Sequence, residues 1–218
     1  MGQKVNPIGY RIGISQEASS KWFASKKDYS DVVLQDYKIR QLLEKELATA
    51  GLIKVVLERS VNAIRIRLQV AKPGVVIGKG GSNLEVLKTK LEKLLGQNKI
   101  ASKRDKIKID LNVEEVRTPE LSAKLVAERI SGQLVKRFPH RRAVNQALEK
   151  ATQAGAKGIK IQLSGRIGGA EIGRTEKYFE GSIPTQTLRA PIDYYETPVA
   201  TKSGYVGLKV WIYKGDKN

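Results

Sequence analysis

Hydrophobic positions along the chain change their period several times, and each change marks an element. Residues 1–15 hold three glycines and one proline with no sustained period. They read as an extended arm that orders against a partner. From Val32 to Ala50, the residues Val33, Leu34, Tyr37, Ile39, Leu42, Leu43 and Leu47 recur at helical spacing, and Gly51 is a suitable stop. The period then drops to two. Ile53 to Glu58 and Ala63 to Val70 read as strands, joined by a turn at Ser60, Val61 and Asn62. In the second strand Ile64, Ile66, Leu68 and Val70 alternate with Arg65, Arg67 and Gln69, which predicts one buried and one basic face. Pro73-Gly74, a short apolar turn (Val75, Val76, Ile77) and Gly78-Lys79-Gly80-Gly81 follow. Ser82 then caps a helix with Leu84, Leu87, Leu91, Leu94 and Leu95 on one side. Ile107, Ile109, Leu111 and Val113 make a third alternating strand.

A second unit begins at Thr118-Pro119, with Thr118 as N-cap and Pro119 preset for the first helical position. Leu121, Leu125, Val126, Ile130, Leu134 and Phe138 mark the buried face of its first helix. Another helix runs from about Arg141 to Ala154 and stops at Gly155. Strand-like stretches follow: Gly158 to Leu163, Ala170 to Phe179, Thr187 to Tyr195 and Val206 to Tyr213. No internal repeat interrupts the series. The expectation is an α+β protein of two domains, residues 16–118 and 119–218, behind an arm of residues 1–15. The second domain is expected to pack two helices on a mostly antiparallel sheet.

Charge changes the picture from a generic fold to one with a polyanionic partner. The 218 residues carry 40 Lys and Arg against 22 Asp and Glu, a formal net charge of +18, where a small soluble domain typically carries about 2–8. The excess is +2 over residues 1–50 and +8 in each of the segments 51–118 and 119–218. Both later segments therefore call for an anion, with nucleic acid first and an anionic membrane surface second. The chain has no cysteine, which excludes disulfides and thiolate metal sites. No apolar run reaches the roughly 18–20 residues that span a bilayer. The opening lacks the apolar stretch of a secretion signal, and Asn6 stands where a myristoylation motif needs Ser or Thr. Location is thus expected to be cytoplasmic or in an organelle matrix.

Catalytic constellations are missing from the pattern. His140 is the only histidine, so His-pair metal sites and a cysteine–histidine nucleophile are both ruled out. Glu114 and Glu115 are strand neighbours that point to opposite faces. No enzyme activity, cofactor or metal is expected. Trp22, Phe23, Trp211 and Tyr213 read as core or interface residues rather than stacking platforms.

The tetrapeptide Gly78-Lys79-Gly80-Gly81 carries the most chemistry. A Walker A loop is excluded, because Gly74 to Gly78 is one residue too short and Gly80 replaces the needed Ser or Thr. A dinucleotide fingerprint fails at Asn83. A G-x-x-G loop of a KH domain fits: bare glycines let the backbone approach sugar-phosphates, and Lys79 with the amides of the following helix supplies positive potential. Alone the tetrapeptide is often an ordinary turn. Placed after two strands and before an amphipathic helix, it matches the prokaryotic KH order. Lys72 precedes it on the same approach.

Three longer segments make the resemblance specific: the arm MGQKVNPIGYRIG, the segment KPGVVIGKGG, and SGRIGGAEIGRTEKYFEGSIPTQTLRAPIDY with VGLKVWIYKG. Together they resemble the family of ribosomal protein three of the small subunit, bacterial or organellar type, over essentially the whole chain. The resemblance implies a structural, rRNA-binding constituent of the subunit head. It implies an amino-terminal KH domain and a carboxy-terminal α/β domain that anchors to small-subunit rRNA. It also implies head neighbours ten and fourteen, and a place with proteins four and five where messenger RNA enters.

Within that frame Lys4 and Arg11 of the arm are expected to contact RNA. Lys136, Arg137, Arg141 and Arg142 cluster where two helices meet. Read plainly, they are a solvated, helix-terminal charge group. By resemblance, the strand-separating basic residues fall on Arg141, Arg142 and position 145. Asn145 stands where bacterial relatives commonly carry lysine, so it can hydrogen-bond RNA but adds no charge. Arg166 and Arg174 flank the loop Ile167-Gly168-Gly169-Ala170, which suits either a plain hairpin or close docking onto rRNA phosphates. A free-standing KH regulator of RNA and a nuclease are the rival readings. The first is disfavoured by the long second domain, the second by the missing acid or histidine cluster.

Overall fold

The computed structural model describes residues 4–60, 63–96 and 108–215. Residues 1–3 of the arm, Val61 and Asn62 of the predicted turn, and Ile107 of the predicted third strand lie outside them. The chain forms two compact units: residues 18–117, and the first 17 residues together with everything from Thr118 onward.

The arm is not extended. Pro7–Arg11 form one helical turn, α1, whose amides at Ile8 and Gly9 donate to the side chain of Asn6 at 2.9 and 3.3 Å. Arg11, expected to reach RNA, is fully buried. Its Nε donates to the carbonyl of Ala190 at 2.9 Å and its Nη2 to those of Thr185 (2.9 Å) and Thr187 (2.8 Å), while Nη1 returns to Pro7 at 3.2 Å. Ser15 Oγ donates to Leu188 O and Gln16 Nε2 to Ile192 O. Apolar periodicity could not reveal this docking, because a guanidinium does the work by filling a ring of loop carbonyls that need donors.

In the unit of residues 18–117, strand β1 (Ser20–Lys21) precedes helix α2 (Tyr29–Glu46). Then come β2 (Leu52–Arg59), β3 (Ala63–Val70), α3 (Pro73–Ile77), α4 (Ser82–Gly96) and β4 (Lys108–Glu115). The sheet order is β1-β2-β3-β4, with β2 and β3 antiparallel and both outer pairs parallel. The predicted alternation in β3 holds. Ile64, Ile66, Leu68 and Val70 pack with Ile39, Leu43, Leu87 and Leu91 in the core. The opposite face is less basic than it reads, because Arg67 pairs with Glu58, Arg65 with Asp110 at 3.4 Å, and Gln69 bonds Glu114.

Helix α2 departs from the expected face. Val33, Leu34 and Tyr37 are exposed, whereas Gln35 and Asp36 are buried. Asp36 accepts from Arg59 Nε at 2.7 Å and from Trp22 Nε1 at 2.8 Å. The inward turn is set by Arg59 on β2, a largely covered cation that calls for a carboxylate. The helix also ends earlier than predicted, at Glu46, and Ala48–Ala50 form a separate 3₁₀ turn.

In the other unit, Thr118 starts a 3₁₀ turn (Pro119–Leu121), not the helix itself. Helix α5 (Ala123–Val135) begins after Ser122. The Ala123 amide donates to Asp193 at 3.0 Å, which supplies the N-terminal acceptor from a distant strand. Helix α6 (His140–Gln153) and strands β5 (Gly158–Gly165), β6 (Arg174–Gly181), β7 (Ile192–Thr201) and β8 (Gly204–Tyr213) complete it. The sheet order is β6-β5-β8-β7, antiparallel throughout. Val126 and Ile130 of α5 and Val144 and Leu148 of α6 share one core with Ile159, Ile161, Leu163, Leu208, Val210 and Ile212. This is the predicted pair of helices on a sheet. Two strands start late: β6 at Arg174, not Ala170, and β7 at Ile192, not Thr187. The second delay has a clear cause, since Thr185, Thr187 and Ala190 give their carbonyls to Arg11.

Candidate nucleic-acid interface

The order α2-β2-β3-α3, glycine loop, α4-β4 places Gly78, Lys79, Gly80 and Gly81 between two helices. The Gly78 amide donates back to Gly74 O at 2.9 Å, which ends α3. A 3₁₀ turn at Lys79–Gly81 then runs straight into α4, so Ser82 is the first helical residue and not a cap. Gly78 has φ +72°, and a Cβ there would lie 2.7 Å from Cγ of Asn83. Asn83 in turn donates to Val75 O at 3.1 Å and so clamps both sides of the loop. Gly80 has φ +64° but its missing Cβ faces open space. The loop therefore offers bare backbone and an exposed Lys79, with exposed Lys72 at the start of α3. Such a surface can admit a sugar-phosphate chain and meet it with positive charge.

The second group lies where α5 gives way to α6. Lys136, Arg137, Arg141, Arg142 and Asn145 are all exposed. Helix α6 opens His140-Arg141-Arg142 with no acid in its first turn and no side-chain cap. Cations there oppose the positive end of the helix dipole, so local stability does not favour them. A bound polyanion would reverse the sign of that interaction. Arg142 lies 5.6 Å from the ring centroid of Phe138. Behind them His140 Nε2 approaches Glu176 at 3.1 Å, and Glu176 accepts from Tyr178 at 2.6 Å. That hydrogen bond, with His140 and Arg174 nearby, holds the Glu176 carboxyl below its usual pKa despite partial burial. Burial and Glu176 push the Tyr178 hydroxyl up, with Arg141 opposing.

Arg166 and Arg174 do flank a hairpin. Gly165 pairs with Arg174, and Ile167–Gly169 form a 3₁₀ turn pinned by the buried Ile167 side chain. Arg166 Nε donates to Ala170 O at 2.8 Å, and Arg174 Nε pairs with Glu176 at 2.8 Å. Lys4 is exposed and lies near Lys160. Burial first, then Lys4 and Lys177, lower the pKa of Lys160. Lys4, Lys160 and Lys177 thus lie near one another, a grouping that motif reading does not show. The alternation of Ile159, Ile161 and Leu163 into the core was the available signal that Lys160 faces the other way. Among the described residues there is no group of three or more acids and histidines placed to hold a metal. No described helix is long and apolar enough to cross a membrane.

Comparison with known proteins brings both regions together. A family model described as a KH domain matches residues 38–121, and one described as ribosomal protein S3, C-terminal domain, matches residues 130–212. Curated relatives described as small ribosomal subunit protein uS3 align over nearly the full chain. The relative from Desulforudis audaxviator is 48% identical over 216 residues, covering 99% of this chain and 94% of its own length. That from Caldicellulosiruptor bescii is 48% identical, covering 99% and 93%. That from Finegoldia magna is 48% identical, covering 99% and 84%.

Proposed function

The chain belongs to the family of small ribosomal subunit protein uS3, a structural and non-enzymatic constituent of the ribosome, and from that premise we propose that it binds small-subunit rRNA in the subunit head and lines the path by which messenger RNA enters. In this reading the glycine loop with Lys72 and Lys79 contacts RNA through backbone and charge. Arg141 and Arg142, with Lys136 and Arg137, grip phosphates of message being drawn in and favour separated strands. Its neighbours would be head proteins ten and fourteen and, at the entrance, proteins four and five. The location would be the cytoplasmic ribosome, or an organelle matrix if the source is organellar.

The observation that carries the proposal is the cationic start of α6. An uncapped helix N-terminus bearing His140, Arg141 and Arg142 and no acid is a poor choice for stability alone. It is a good one for holding phosphate. Asn145, one turn further on and exposed, keeps a hydrogen-bonding group there without charge. The test is translation by ribosomes shown to contain Arg141→Ala/Arg142→Ala protein. Slower passage through a stable hairpin is expected, with near-normal translation of an unstructured message. Asn145→Lys should act in the opposite direction. Equal slowing of both messages, or of neither, would make these arginines a solvated face.

A simpler measurement addresses RNA binding itself. With a net charge of +18, the free protein should bind single-stranded RNA with log affinity falling against log salt by about 0.7 per phosphate engaged. A flat salt dependence would contradict phosphate-led binding. Co-sedimentation with small subunits separates a ribosomal constituent from a free-standing KH regulator.

A further inference from the structure

We infer that the unit of residues 118–215 carries a pocket for a nucleoside phosphate, in which a base rests on an apolar floor while its phosphate meets Arg137, Arg166 and Lys202. The inference rests on the RNA-binding reading and adds a site at which one nucleotide leaves the stack. A cavity of about 530 Å³ opens between the turn after α5, the loop that follows β5, and the turn joining β7 to β8. That volume lies in the ordinary range for small-molecule sites, about 300–1,000 Å³. Leu134, Leu163, Ile167 and Val206 supply the apolar surface. No aspartate or glutamate lines it.

The contrast within the same molecule is informative. A second cavity, of about 430 Å³, also holds arginines, Arg65 and Arg67, but Glu58, Asp110 and Glu114 line it with them. Its carboxylates outnumber its cations. The first cavity has three cations without a carboxylate and an apolar floor below them, which selects for a ligand that is both anionic and flat. A nucleoside phosphate has that combination, whereas a bare phosphate leaves the apolar floor unused.

The backbone shows the same bias. Arg137 has φ +60°, and it is the sole non-glycine with positive φ among the described residues. Its amide donates to Leu134 O at 2.9 Å and that of Phe138 to Gln133 O at 3.0 Å, the pattern of a helix C-terminal turn. Glycine usually occupies that left-handed position. Arginine is strained there, and such strain tends to be kept where a side chain serves a site. Here it sets a guanidinium beside the cavity. On the facing side Gly168 and Gly169 turn at φ +68° and +85°, where a Cβ would stand 3.7 Å from Nδ1 of His140 and 3.2 Å from Oγ of Ser203, so bare backbone lets this loop close against two other residues of the cavity wall.

The experiment uses the full chain with labelled methyl groups and three probes: adenosine monophosphate, ribose 5-phosphate and a short oligoadenylate. Adenosine monophosphate should shift the methyls of Ile167 and Val206. It should bind at least ~5-fold more tightly than ribose 5-phosphate, because only the nucleotide buries a base against the apolar floor. Lys202→Glu, at an exposed turn, should cut the affinity for adenosine monophosphate at least ~5-fold while leaving remote methyls unmoved. Equal binding of the two small probes, or no shift at Ile167 and Val206, would overturn the pocket. Oligoadenylate shifting the same methyls identifies RNA as the source of the nucleotide. If only the mononucleotide does so, the source is a free nucleotide. Salt-dependent oligoadenylate binding by the Lys202→Glu protein is scored separately, so the pocket can fail while the broader RNA-binding reading stands.

Discussion

Arg11→Ala is expected to destabilise the unit of residues 118–215 by about 3 kcal/mol or more, since hydrogen bonds to a charged group contribute about 1.5–3 kcal/mol and orphaned buried carbonyls add their own cost. The guanidinium is fully buried and holds the carbonyls of Thr185, Thr187 and Ala190 at once. Burial lowers its pKa, with the nearby Tyr10 ring opposing. Alanine leaves those carbonyls facing a cavity and frees α1 from its seat. At about 4–8 °C per kcal/mol for a domain of this size, the corresponding melting transition should fall by roughly 10 °C or more. Arg11→Lys should recover little, because one ammonium cannot span the carbonyls that a planar fork reaches. Asn6→Ala, which removes only the cap of α1, should cost about 1 kcal/mol. Thermal and denaturant unfolding of the full chain reads all three. A loss below about 1 kcal/mol for Arg11→Ala would mean that the arm is held by something else. The same docking predicts that deletion of residues 2–12 damages this unit's stability as well as subunit assembly.

The second large effect is expected at the glycine loop. Lys79→Asp together with Gly80→Asp should weaken RNA binding by the loop at least ~10-fold at low salt, because a change of three charges at the phosphate contact turns attraction into repulsion. The fold should survive. A Cβ at Gly80 meets nothing within 4 Å, and Asp is among the residues that tolerate a left-handed backbone. Gly78 was avoided for the opposite reason, since its Cβ would strike Asn83. Crosslinking of this loop to RNA in assembled ribosomes, with the melting temperature as control, decides the matter. Unchanged crosslinking with an intact fold would reduce the loop to a turn.

Much of the architecture could be read from the chain because it is written in local periods. The switch from helical spacing at Ile39 and Leu43 to alternation at Ile64–Val70 survives into the structure as a helix on a strand. So does the pair of helices over the second sheet. Errors gathered where polar side chains set the geometry. Asp36 turns inward because Arg59 lies beneath it, while Leu34 and Tyr37 remain outside. Strand β7 starts late because the preceding carbonyls belong to Arg11.

The same division runs through the candidate site. Gly78, Lys79, Gly80 and Gly81 form a contiguous motif whose backbone demands are carried by the glycines themselves, so the loop's conformation was legible before any fold was known. Arg11 and Arg141 look alike in sequence, yet one is sealed among carbonyls and the other is exposed. Arg137, Arg166 and Lys202 are separated by dozens of residues and share no local pattern, yet they line one cavity. The sequence by itself therefore determined the principal helices and strands, the polyanionic partner class and the family, because period, net charge and contiguous motifs are properties of the chain. Only the tertiary structure decided which cations remain available to RNA, because a charge is spent or free according to the partners that distant segments bring to it.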